Sequence, residues 1–386
     1  MNKTPTSLSN DADIIDSHFM RHALAMANMA VGTTAPNPSV GCVIVKDGKI
    51  LAAAHTAKGG RPHAETIALS EAGRGANGAT IYVTLEPCAH YGKTPPCALG
   101  LINAGIKRVV IACKDPFLKV DGKGVELLKN AGIEVKTGVC EQEAELINEG
   151  FFSVIRCGRP FITLKTATSL DGKLALGNGT SKWITGEESR SYVHLMRARH
   201  DAVITGIGTV IADDPLLTCR LQGMDAASPI RVVLDTNLNL PATSSLTKTA
   251  CAVPCYVATL HESIANNQEK ARILQDLGVR LLVVKRAENG KICIEDVLIE
   301  LGKLGINTAM IEAGATINTQ AVSLNLVDKI AWFKQPMIIG NDGVAAFGKL
   351  DIHNMIDTLK FTPHSQKIFG KDSLDIFNKT RLIRHN

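Results

Sequence analysis

Aromatic side chains make up only 4% of this 386-residue sequence, and charged ones 20%. So few rings exclude an extended stacking platform for single-stranded nucleic acid. The modest charge beside 45% hydrophobic residues excludes intrinsic disorder. No run of about 18 apolar residues is present to span a bilayer, and the opening segment MNKTPTSLSNDAD lacks the apolar stretch of a secretory signal. The expectation is a cytoplasmic protein with no membrane partner. Ten cysteines scattered between Cys42 and Cys293 are too sparse for the disulfide framework of a small secreted domain. The net charge of +5 includes no basic block and suits an anionic small molecule at least as well as a polynucleotide, so no nucleic-acid partner is expected.

What the sequence does contain is hydrophobic periodicity that alternates between strand and helix. His18 to Ala30 carries apolar residues at helical spacing and ends near Gly32. Residues 41–55 read as a hairpin, with Asp47-Gly48 as the turn between two apolar runs. A helix closed by Gly73, a strand at 79–88, a helix closed by Gly105, a strand at 108–113, a helix at 124–132 and a strand at 133–139 follow. The helix-like stretch 141–155 leads into Cys157-Gly158-Arg159-Pro160, where a domain boundary is expected. A second α/β series then runs to the end, with strands at 161–172, 201–207, 230–236, 255–260, 280–285, 307–314 and 329–339. Residues 189–200 and 295–305 read as helices, a further helix follows Gly314, and Ala242 to Ala250 reads as a loop. Length and pattern together give an α/β protein with one domain over 16–150 and a second over 159–386.

The N-terminal half concentrates metal-ligand chemistry. His63, Cys88 and Cys97 supply one imidazole and two thiolates, a borderline-soft set that suits tetrahedral zinc with its fourth position open to water. An open position points to catalysis, because zinc lowers the pKa of a bound water to about 7. Glu65, two residues beyond His63, is placed to take that proton and deliver it to a leaving amine. The competing reading is a closed structural knot with His90 or another cysteine as fourth ligand, but a knot has no need of a glutamate two residues after its histidine. Cys42, Cys113 and Cys140 lie in apolar runs and read as small core residues. Cys251 and Cys255 have zinc-like spacing, yet Pro254 and the strand context make them an accidental pair.

This His-x-Glu followed by Pro-Cys resembles the zinc-dependent nucleobase deaminases. Those enzymes usually place two residues between the cysteines, whereas eight intervene between Cys88 and Cys97. The longer insert, with Asn37-Pro38-Ser39-Val40-Gly41 upstream, resembles the deaminase of riboflavin biosynthesis. The resemblance implies an N-terminal cytidine-deaminase-like layered α/β domain in which Asn37 meets the pyrimidine and Asp115 also contacts substrate. It makes His55 and His90 substrate contacts as well, against the alternative of solvated loop side chains, and Lys93 a contact to phosphate or carbonyl. Phe117 stands where the family usually has asparagine after Asp115-Pro116, which removes one hydrogen bond to substrate.

The C-terminal half has no Gly-x-Gly-x-x-Gly after its first strand, so a Rossmann domain is not supported. Instead it carries Ser169-Leu170-Asp171-Gly172, Ser181-x-Trp183-Ile184-Thr185, Arg197-Ala198-x-x-Asp201, Thr209-Val210-x-Ala212-Asp213-Asp214-Pro215-x-Leu217-Thr218-x-Arg220 and Glu312-Ala313-Gly314. The small residues after Glu312 allow backbone N–H groups at a helix start to approach a phosphate. In order, these motifs resemble the pyrimidine reductase half of the bifunctional riboflavin biosynthesis family, which implies a C-terminal dihydrofolate-reductase-like α/β domain. By that resemblance Ser181, Arg197, Leu217, Arg220 and Glu312 face a phosphorylated pyrimidine ribotide. Ala167, Trp183, Thr209, Asp213, Thr236 and the stretch Gly314, Ala315, Thr316, Ile317, Asn318, Thr319 and Gln320 face NADPH. For the arginines alone there is an independent physical reason, the fit of a guanidinium fork to phosphate oxygens.

The expectation is therefore a two-step enzyme, zinc-dependent deamination and then NADPH-dependent reduction of the ribosyl group. Lys165, Asp171 and Glu312 remain equal candidates for the proton donor in the second step. A tRNA or free-base deaminase would share the zinc core but would not need the second half. A reductase with a purely structural zinc domain would release no ammonia, and a nucleic-acid-binding zinc module would bind polynucleotide in a salt-sensitive manner. Self-association into a homo-oligomer is expected, with the number of subunits open.

Overall fold

The computed structural model describes residues 7–91, 95–116, 122–180 and 184–380. The chain divides into two compact units, Met1–Cys157 and Gly158–Asn386.

The first unit is built on a five-stranded sheet. Strands β1 (Gly41–Lys46) and β2 (Lys49–His55) form the hairpin, joined by Asp47 and Gly48, both at positive φ (50° and 73°) as a two-residue turn between twisted strands requires. Strands β3 (Thr80–Leu85), β4 (Arg108–Cys113) and β5 (Glu134–Thr137) complete the order β2-β1-β3-β4-β5, antiparallel up to β3 and parallel from β3 to β5. The central strands read as unbroken apolar runs because they are buried on both faces. Helix α1 (Ser7–Ala30) starts before its apolar stripe does. It buries Met20, Ala23, Leu24, Ala27 and Ala30, the three-and-four spacing of one helical face. The small alanines let it lie directly on β1, where a Cβ on Gly41 would come within 1.8 Å of the Ala23 carbonyl oxygen. Helices α2 (Ala64–Ala72), α3 (Cys97–Asn103) and α4 (Lys123–Asn130) each follow a loop that carries site residues. The stretch after β5 is two helices, α5 (Glu141–Ile147) and α6 (Glu149–Cys157), rather than one. Cys42 and Cys113 are core residues, whereas Cys140, expected in the core, sits half-buried in a turn at φ 58°.

The second unit contains a nine-stranded sheet. Its strands are β6 (Phe161–Ser169), β7 (Ala202–Gly206), β8 (Ile230–Leu234), β9 (Cys255–Thr259), β10 (Val279–Val283), β11 (Thr308–Ile311), β12 (Lys329–Gln335), β13 (Phe361–Phe369) and β14 (Asp372–Lys379). Their order is β10-β9-β8-β7-β11-β6-β12-β14-β13, with every pairing parallel except the two made by β14. Two apolar clusters, one around Ile162, Ile204 and Leu298 and one around Val203, Val257 and Phe333, form the core. Helices α7 (Glu187–Ala198), α8 (Ile207–Asp213) and α9 (Ala315–Ser323) bear on the site. The segment expected to be a loop contains a four-residue helix, Ser245–Lys248, because the Ser244 hydroxyl caps the Thr247 N–H at 3.2 Å.

Candidate active sites

In the first unit His63 is the N-cap of α2, Cys97 opens α3, and Cys88 lies three residues past the end of β3. The three side chains converge, with one ligand atom from each lying within 4.8 Å of the others. His63 Nδ1 faces both sulfurs, at 3.3 Å from Cys97 Sγ and 3.9 Å from Cys88 Sγ, while the Cys97 backbone N–H donates to Cys88 Sγ at 3.3 Å. The Cys88 thiol is pulled down to about 4 by its hydrogen bonds with Cys97 and then His63, against the opposing effect of burial. Two cysteine sulfurs and an imidazole nitrogen converging on one point are a donor set that fits zinc. Among the described residues this is the one such cluster.

Glu65, in the first turn of α2, is 4% exposed, and its burial raises the carboxyl above its ordinary value. A buried carboxyl in the first turn of α2, two residues from the ligand His63, is placed to move a proton beside the metal site. Asn37 is tied by its Nδ2 to the Gly60 carbonyl at 2.9 Å, so it borders the loop that precedes His63. A Cβ on Gly60, whose φ is +83°, would press on the Asn37 amide. His55 ends β2, half-buried against the Thr56 carbonyl, and His90 is half-buried in the loop between the two cysteines. Asp115 is buried just past β4. Lys93 and Phe117 lie outside the described residues.

The second unit holds a cavity of about 920 Å³ at the carboxyl ends of its parallel strands. The sheet order turns back at β7 and β11, and the cavity opens where those strands end, the crevice in which open α/β sheets take ligands. Ala167, Thr209, Asp213, Thr236 and Glu312 line it, as do Gly314, Ala315, Thr316, Ile317 and Gln320 at the start of α9. Gly206 has no Cβ because Ile317 of α9 would meet one at 2.3 Å, and this close packing brings the helix start to the strand ends. The first turn of α9 carries no acid and Gly314 opens to free space, which leaves backbone N–H groups for a phosphate and so fits the pyrophosphate of a dinucleotide.

Two residues of the same stretch lie on the other face of α9. Asn318 is fully buried with its Nδ2 on the Ala346 carbonyl, and Thr319 spans the Ala315 carbonyl and the Gly348 N–H. Arg197 does not line the cavity but grips Glu312 with two parallel bonds of 2.9 and 3.0 Å, and Lys165, which does line it, stands 3.5 Å from the same carboxylate. Burial alone would raise the Glu312 carboxyl, yet the charges of Arg197 and then Lys165 hold it at about 2. Leu217 is buried at a positive φ of 54°, which is costly for a branched side chain. The exposed Arg220 makes no hydrogen bond or salt bridge among the described residues, and its pKa is lowered by partial burial and then by neighbouring Arg197. Ser181 and Trp183 lie outside the described residues. The turn Asn289-Gly290-Lys291 also lines the cavity. Its Asn-Gly dipeptide is a turn signal, but nothing in the sequence indicates that this turn faces the site.

Comparison with known proteins bears directly on these two sites. Residues 160–374 match the family model described as RibD C-terminal domain, and residues 14–113 match the cytidine and deoxycytidylate deaminase zinc-binding region. The riboflavin biosynthesis protein RibD of Aquifex aeolicus is 43% identical over 365 residues, covering 95% of this chain and 99% of that protein. The chain belongs to the RibD family. The RibD of Escherichia coli is 39% identical over 339 residues, covering 85% of this chain and 89% of that one. Among solved structures, RibD of Acinetobacter baumannii superposes with a TM-score of 0.86 at 40% identity, covering 96% of this chain and all of that one. A Thermotoga maritima diaminohydroxyphosphoribosylaminopyrimidine deaminase/5-amino-6-(5-phosphoribosylamino)uracil reductase superposes with a TM-score of 0.82 at 32% identity, covering 96% and 100%. Like the rest of the RibD family, this chain is a bifunctional deaminase and reductase of riboflavin biosynthesis, with zinc and NADPH as its cofactors, a deaminase-like fold in the first half and a dihydrofolate-reductase-like fold in the second. No described helix is long and apolar enough to cross a membrane.

Proposed function

We propose that residues 16–150 deaminate 2,5-diamino-6-(5-phosphoribosylamino)pyrimidin-4-one and that residues 159–386 reduce the ribosyl group of the resulting 5-amino-6-(5-phosphoribosylamino)uracil to ribityl. The observation that carries this reading is the convergence of His63, Cys88 and Cys97 beside the buried Glu65. Zinc, held by those three residues, supplies the Lewis acidity that makes water a nucleophile near neutral pH. Glu65 accepts the proton of the attacking water at its carboxylate and hands it to the departing amine, so that water enters and ammonia leaves. Asn37, His55, His90, Lys93 and Asp115 orient the pyrimidine and its phosphate.

In the reductase, bound NADPH would supply the hydride that turns the ribosyl group into ribityl. Ala167, Trp183, Thr209, Asp213, Thr236 and residues 314–320 hold the cofactor, with Asn318 and Thr319 acting from the far side of α9 by fixing the helix. Ser181, Arg197, Leu217, Arg220 and Glu312 hold the ribotide. The geometry favours Lys165 as the proton donor. Asp171 is engaged by the Ser169 hydroxyl and the N–H groups of Ile339 and Gly340, and Glu312 stays ionised between two cations, whereas Lys165 is a cation on the cavity wall with a proton to give.

The unpaired cysteines and the zinc thiolates suit the reducing cytoplasm, and the exposed Met355 and Ile356 suit self-association into a homo-oligomer. Mass spectrometry of the products formed in oxygen-labelled water with deuterated NADPH tests the whole reading. One labelled oxygen on the pyrimidine and one deuterium on the former ribosyl carbon are expected, and a product with neither label contradicts it.

A further inference from the structure

Glu86 is 3% exposed and lies between β3 and the zinc ligand Cys88, with only Pro87 separating it from the cysteine. Its backbone N–H donates to the Cys113 carbonyl at 3.0 Å, which aligns the ends of β3 and β4. Its carboxylate is held by backbone N–H groups. Oε1 accepts the N–H groups of Gly124 at 2.9 Å and Val125 at 3.1 Å, while Oε2 accepts those of Gly122 at 3.1 Å and Asp115 at 3.5 Å. These four donors come from the two feet of one connection, Asp115 just after β4 and Gly122 to Val125 at the start of α4.

An ionised carboxylate has about four lone-pair sites and no proton to donate, so four converging N–H groups match it and would clash with an amide. Three of the four are helix-start donors that otherwise lack partners, and the negative charge complements that end of the helix. The junction is closed from the other side by Gly124, where a Cβ would meet the Pro87 carbonyl oxygen at 2.1 Å. The Glu86 side chain therefore adds a link between the zinc-ligand segment and the segment carrying Asp115, beyond the backbone pairing of β3 with β4.

We propose that Glu86 is a positioning residue of the deaminase, setting Asp115 against the Cys88 segment so that the pyrimidine is held in register with the metal. This rests on the deaminase reading above. A displacement of about 1 Å in a substrate-holding group costs up to about 10²-fold in turnover efficiency, while the zinc ligands keep their own contacts with one another.

The test compares wild type with Glu86→Gln in the full chain, measuring ammonia release from the diaminopyrimidine ribotide, zinc content, and backbone hydrogen exchange at Asp115, Gly122, Gly124 and Val125. NADPH oxidation on the deaminated intermediate serves as the internal control. The proposal expects KM for deamination to rise roughly tenfold or more, with kcat nearly unchanged, one zinc retained, faster exchange at the four amides and normal reduction. Glu86→Asp, which keeps the charge at shorter reach, is expected to restore part of the affinity. Loss of zinc together with kcat would make Glu86 a support of the metal site and overturn the proposal, as would an unchanged KM in a wild-type background that releases ammonia. A wild type that releases none would instead sink the deaminase reading on which the proposal rests.

Discussion

At the residue scale, chemistry that requires particular side chains was legible, and chemistry done by the backbone was not. His63, Cys88, Cys97 and Glu65 stood out because zinc and proton transfer need those residue types, and the first three converge within 4.8 Å. Glu86 gave no signal, since its partners are main-chain N–H groups that any sequence carries. Arg220 illustrates the middle case, an arginine named by resemblance whose unpaired guanidinium beside Arg197 supplies the physical reason. Two adjacent cations with only one carboxylate between them suit a phosphate. Arg220→Ala is expected to raise the ribotide KM of the reductase roughly tenfold, equivalent to about 1.4 kcal/mol, with NADPH affinity unchanged. Steady-state kinetics with each substrate varied in turn checks this.

At the scale of elements, strands buried on both faces and hairpins with a turn dipeptide were legible, because their apolar runs are what the sheet demands. Strand β13 was not, because nearly all of its side chains are exposed and it has no alternation to read. Helix α8 was also missed, since its opening Gly206-Ile207-Gly208 reads equally well as a strand-end turn. The start of α9 yields a sharp expectation. Thr316→Asp puts a negative charge among N–H groups proposed to hold phosphate, so NADPH affinity should fall at least roughly tenfold, as measured by fluorescence titration, without loss of fold.

Helix α1 gives a second expectation at this scale. Asp16, 2% exposed in its side chain, accepts two hydrogen bonds from Arg108 and one from Lys136. Burial opposes its ionisation, but these cations hold it at about 2 rather than 3.8. A carboxyl lowered on folding adds stability that is complete above its unfolded value and is lost as pH falls from about 4 towards 2. Asp16→Asn should cost about 1–3 kcal/mol at neutral pH, between the exposed and buried limits for ion pairs, and should flatten the acid limb of the thermal-stability profile of the first unit.

For the whole molecule, the two motif sets were specific enough to imply both activities, because each catalytic set lies within one half of the chain. The finer geometry of the reductase, including the far-side placement of Asn318 and Thr319, depended on helix phase, which the sequence pattern around Gly314 left open. Two compact units with separate chemistry should fail separately. Chelating zinc is expected to abolish ammonia release and lower the melting temperature of the first unit, while NADPH oxidation on the deaminated intermediate continues. Calorimetry alongside the two assays reads this out.

The most direct test of the account follows ammonia release and NADPH oxidation separately, from the diaminopyrimidine ribotide, in zinc-loaded wild type and Glu65→Ala. The account predicts ammonia from wild type, a loss of about 10²-fold or more in the variant, and NADPH oxidation by the variant only when the deaminated intermediate is supplied. No ammonia from the wild type, or undiminished release by Glu65→Ala, would contradict it.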